Sequence, residues 1–195
     1  MRKPNFLLLL AASVACVAPG CVGQVFKEGS GVVMGAKGTF MPIVPLAGAN
    51  VDRPLGAYTH FELGTITDEI GGRIPPEFVP LLEAAFPQQL RKAGLPDSPG
   101  GRTLLLRGAV IHYESSSTMG FVLGPLEEAI VRTEMVDKAT GKVLATANCL
   151  GRTEARVNAG AREKAEGVAK GMVKWIESGF PEYLKVKKKD REREE

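Results

Sequence analysis

The feature that most constrains this chain is an apolar stripe near its end. Ala161, Ala165, Val168, Ala169, Met172, Trp175 and Ile176 recur at three- and four-residue spacing, opposite Arg162, Glu163, Glu166, Lys170, Lys174 and Glu177. That period puts the apolar groups on one side of a helix, which must be buried against another element. Gly179 is a natural end to it. Gly160, Gly167 and Gly171 fall on a neighbouring face, where missing side chains let a sheet or helix approach closely. Packing inside the domain is the preferred reading of those glycines over an oligomer interface. A second stripe, Phe78, Leu81, Leu82, Ala85, Phe86, Leu90 and Ala93, follows Pro75-Pro76, which pre-set a helix start, with Glu77 in the first turn. Gly94 closes that helix, and Pro87 is expected to kink or divide it.

Between the stripes the period changes to two. Residues Tyr58 to Thr67 alternate as a strand, and Asp68 to Arg73 form a loop. Thr103 to Tyr113 is a nearly continuous apolar run, as expected for a strand covered on both faces. Glu128–Val136 and Lys142–Thr153 read as the arms of a hairpin around Asp137-Lys138-Ala139-Thr140-Gly141, with Gly141 where a positive φ is wanted. Val131, Thr133 and Met135 share one face of the first arm, Arg132 and Glu134 the other. The order β-α-β-β-β-α predicts an α+β sandwich: a mainly antiparallel sheet with two helices on one face, spanning residues 55–180. Residues 21–54, rich in glycine and proline, read as a tether with short strands at Val32–Met34 and Met41–Leu46. Residues 181–195 read as a charged, solvated tail.

The first twenty residues read as an export signal. Arg2 and Lys3 precede the apolar run Phe6-Leu7-Leu8-Leu9-Leu10-Ala11-Ala12, and cysteines follow at Cys16 and Cys21. Two cations, an apolar core and a small residue before cysteine mark a lipoprotein signal, cut just before the lipidated thiol. Cys21 is favoured because it leaves the longer core; Cys16 is the alternative, since Ser13-Val14-Ala15 suits the site before it better. A membrane-spanning anchor would need about 20 apolar residues, and Pro19-Gly20 stops the run too early. With Cys21 lipidated, Cys149 is the remaining thiol and reads as a small buried hydrophobe. With Cys16 lipidated, Cys21 and Cys149 become candidates for pairing.

Charge and motifs argue for binding rather than catalysis. The chain has 25 Lys and Arg against 22 Asp and Glu, so loss of Arg2 and Lys3 leaves a net charge of +1. That balance, with six of the basic residues between Lys185 and Glu195 beside four acids, gives no footprint for nucleic acid. His60 and His112 lie in strands without metal-ligand spacing, so no metal or cofactor is expected. Ser115, Ser116 and Ser117 lack a nucleophile elbow. The pairs Asp68-Glu69 and Glu127-Glu128 lie beside turns and are expected to be solvated. Gly29 to Gly35 lacks the spacing of a phosphate loop. The chain reads as a non-enzyme. Met119, Phe121, Val122 and Leu123, set between glycines outside any amphipathic pattern, are the candidate partner-binding patch, with Phe180 to Leu184 as a possible extension of it.

The order of these motifs resembles a group of small Gram-negative envelope lipoproteins, similar to the curli-secretion lipoprotein and the TolB amino-terminal domain. It rests on the signal, a strand, a helix ending Leu90-Arg91-Lys92-Ala93-Gly94, the run Leu104-Leu105-Leu106-Arg107-Gly108-Ala109-Val110, the turn Asp137 to Leu144 and the Ala-rich last helix. The resemblance implies an envelope domain without catalysis, often part of an assembly or secretion apparatus. Because Val22 (or Val17), not aspartate, follows the lipidated cysteine, it implies attachment to the outer membrane, facing the periplasm, through acyl chains such as palmitate. The expected function is therefore a protein-binding or envelope-assembly lipoprotein, with a small-ligand or lipid-binding module as the alternative. Oligomeric state is left open.

Overall fold

The structure, a computed structural model, describes residues 37–47, 54–114, 127–153 and 160–185. Its strands are β1 (Lys37–Val44), β2 (His60–Asp68), β3 (Thr103–Tyr113), β4 (Glu128–Asp137) and β5 (Val143–Arg152). Its helices are α1 (Phe78–Ala93) and α2 (Ala161–Gly179), with short 3-10 turns at Pro54–Ala57 and Glu182–Leu184. The strands form one sheet in the order β1-β5-β4-β3-β2. Every neighbouring pair is antiparallel except β2 and β3. A parallel pair needs a long crossover, and α1 supplies it. The fold is α+β, as the periodicities predict.

The order differs from expectation by one strand. Residues 37–44, read above as part of a tether with a short strand at Met41–Leu46, form a full edge strand that pairs with β5 from Lys37↔Arg152 to Val44↔Thr146. Their glycine and proline disguise them, yet Pro42 is tolerable because β1 is an edge strand, where a missing N–H can face water. Two further expectations change. Leu104, Leu106 and Val110 of β3 are fully buried, but Arg107 and His112 on its other side are exposed, so β3 is covered on one face only. Helix α1 runs unbroken across Pro87. Pro87 and Glu83, whose carbonyl it leaves without a donor, both lie on the exposed side, where water can replace the lost bond. Gly94 ends α1 in the left-handed conformation at φ 72°, and the Leu95 amide donates back to the Leu90 carbonyl at 3.2 Å.

Phe78, Leu82 and Phe86 of α1 and Val168, Met172 and Ile176 of α2 pack with Phe61, Leu104, Leu106, Val131 and Met135 in one core. Edge-to-face ring pairs tie it together, Phe78 with Tyr113 at 5.3 Å and Phe61 with Phe180 at 5.9 Å. Where α2 crosses β1 and β5, side chains give way to backbone. A Cβ on Gly38 would lie 2.2 Å from the Gly167 carbonyl oxygen, and one on Gly151 would lie 2.1 Å from that of Lys164. One on Gly171 would meet the Thr39 carbonyl at 2.4 Å. Gly167 and Gly171 of the sequence pattern thus meet the main chain around Gly38 and Gly151, whereas Gly160, before the helix, has open space around it. This seam holds β1 in the sheet.

Candidate functional site

The lipidation candidates Cys21 and Cys16 and the patch Met119, Phe121, Val122 and Leu123 lie outside the described residues, as do Ser115 to Ser117. The residues that flank the patch segment are described, and Lys164 of α2 joins them. Its ammonium donates to the Glu114 carbonyl at 2.5 Å, pairs with the Glu127 carboxylate at 2.6 Å and sits 4.6 Å above the Tyr113 ring. The Lys164 side chain is only 2% exposed. Glu127 and Glu128 are therefore not simply solvated, since Glu128 accepts from Arg152 at 2.9 Å. Tyr113 is pushed up to about 12, first by burial and then by the nearby Glu127 and Glu77 carboxylates. Sequence reasoning missed Lys164. The signal was present: it is a cation on the apolar stripe, three residues after Ala161 and four before Val168.

A second polar cluster closes one end of the sheet. Asp137, 1% exposed, accepts from Tyr58 Oη at 2.8 Å, from Arg102 Nε at 3.0 Å and Nη2 at 2.5 Å, and from the Thr140 amide at 3.0 Å and hydroxyl at 3.1 Å. The Arg102 guanidinium also lies 4.7 Å over the Tyr58 ring. The hydrogen bonds from Arg102 and then Tyr58 hold the Asp137 carboxyl well below its ordinary value, against the opposing effect of burial. Burial and then the bond to Asp137 push Tyr58 up to about 12. A carboxylate so saturated with donors is a brace between the entry to β2, the entry to β3 and the β4–β5 turn; it has no free lone pair for proton transfer. Because its folded-state pKa is depressed, its stabilisation is complete above the ordinary carboxylate pKa and is lost as pH falls below about 4. Asp137→Asn should therefore lower Tm at neutral pH, and the deficit relative to the natural chain should shrink steadily between pH 5 and the most acidic condition reached, read by thermal melts across that range. A deficit independent of pH would show that the ionised state of Asp137 contributes nothing.

The remaining candidates are surface pairings or buried packing. His60 Nδ1 lies 2.7 Å from Asp97 Oδ1 and Nε2 3.3 Å from Glu62 Oε1, while Glu62 Oε2 accepts from Lys138 at 2.6 Å. The bond from Lys138 lowers the Glu62 pKa. His112 is 4.0 Å from Glu128. Among the described residues no group of three or more His, Cys, Asp or Glu side chains converges as metal ligands. Asp68 accepts from the Ile70 and Gly72 amides at 2.8 and 2.6 Å and so shapes its own loop. Cys149 is free and fully buried, and burial pushes its thiol up to about 12, so it packs and does not attack.

The three most exposed large apolar side chains among the described residues lie at the end of β1. Five large apolar side chains among the described residues are at least 40% exposed: Met41, Ile43 and Val44 of β1, Val143 and Leu184. Val143 begins β5 beside the end of β1, because Val44 pairs with Thr146. Leu184 lies beside Gly56 of the Pro54–Ala57 turn. Near the end of β1 a cavity of about 150 Å³ is lined by Phe40, Pro42, Pro45, Leu46, Pro54 and Trp175 among others. Sequence reasoning took this stretch for a tether with a short strand at Met41–Leu46; the strand in fact begins four residues earlier, at Lys37, and ends at Val44.

No family model matches the chain, and no curated protein does. Among solved structures it is similar to PelC from Paraburkholderia phytofirmans, crystallised as a dodecamer. A point variant of that protein gives 16% identity over 72% of this chain and 97% of that one, with a TM-score of 0.48. A second crystal form of the PelC dodecamer gives the same identity and coverage at 0.47. Likeness at this level decides neither activity nor assembly.

Proposed function

We propose that this chain is a lipid-anchored envelope protein of the outer membrane, facing the periplasm, whose α+β domain binds a protein partner or helps build an envelope complex. The observation that carries the anchor is the amino-terminal pattern of two cations, an apolar core and a small residue before Cys21 or Cys16. A triacylated cysteine gives lasting attachment, since each buried CH₂ contributes about 0.8 kcal/mol and one chain alone holds only marginally. Among the described residues, the cavity of about 150 Å³ lined by Phe40, Pro42 and Trp175 is half the volume of the smallest typical ligand site, about 300 Å³, so that cavity does not support the alternative reading of a small-ligand module.

The test is the intact mass of the protein extracted from membranes. The expected mass is the chain from Cys21 plus three acyl chains, and Cys21→Ser should abolish the modification. The mass of an unmodified chain would overturn the anchor. Photocrosslinking in cells from position 121 should then recover a discrete envelope protein.

A further inference from the structure

We draw no further inference here: the strongest candidate, the apolar end of edge strand β1 at Met41, Ile43 and Val44 with the small cavity beside it, is an unpartnered surface, and nothing in the structure shows what covers it.

Discussion

Gly38→Ala should cost about 3 kcal/mol or more of unfolding free energy, as should Gly171→Ala. In a domain of this size that is a fall of roughly 10 °C in Tm. The added methyl group has nowhere to go. At position 38 it would sit 2.2 Å from the Gly167 carbonyl oxygen and 2.6 Å from the Gly171 nitrogen, and at position 171 it would sit 2.4 Å from the Thr39 carbonyl. Main-chain atoms cannot rotate aside as a side chain can, so α2 must lift from the sheet. The sign is diagnostic at position 171, because alanine in a free helix is favoured over glycine by about 1 kcal/mol. Gly100→Ala is the control: nothing lies within 4 Å of its Cβ position, and it should be neutral. Chemical denaturation of the four chains decides the matter; a stable Gly171→Ala protein would mean that α2 is not seated as described.

Lys164→Ala should cost about 3 kcal/mol, because it breaks an almost fully buried ion pair and leaves the Glu127 carboxylate, 21% exposed, without its cation. It also removes a donor from the Glu114 carbonyl and the contact over Tyr113. Replacing both partners, Lys164→Met with Glu127→Gln, should recover most of that loss, since a neutral pair carries no stranded charge. The cycle of single and double variants isolates the coupling. A local readout accompanies it. The Glu114 amide donates to the Glu128 carbonyl at 2.9 Å and the Thr153 amide to that of Glu127 at 3.1 Å. Hydrogen exchange at both should speed up in Lys164→Ala more than exchange at Leu106 in the middle of β3. Uniform exchange across the sheet would remove Lys164 from its place as a clasp.

Much of the architecture was legible because it is written in short-range periodicity. The spacing of Ala161 to Ile176 and of Phe78 to Ala93 requires two helices, Gly94 and Gly141 mark the turn and helix end they occupy at positive φ, and the alternation of Val131, Thr133 and Met135 orients β4. Those signals depend on neighbours within about eight residues, and the sequence carries them whatever the rest of the chain does. Three things needed the tertiary structure. β1 became a full strand from Lys37 because the backbone of β5 was there to pair with it and glycine met glycine under α2, although its residues read as a tether with only a short strand at Met41–Leu46. Asp137 became a brace because Tyr58 and Arg102, 79 and 35 positions away, arrive at the same point. Lys164 became a clasp because Glu114 and Glu127 are brought together by the β3–β4 pairing. The sequence by itself determined the two helices and the strands β2 to β5, and its amino-terminal pattern motivates the proposed anchor; only packing decided which polar groups are buried in pairs and which apolar ones are left outside, because that depends on contacts between residues remote in the chain.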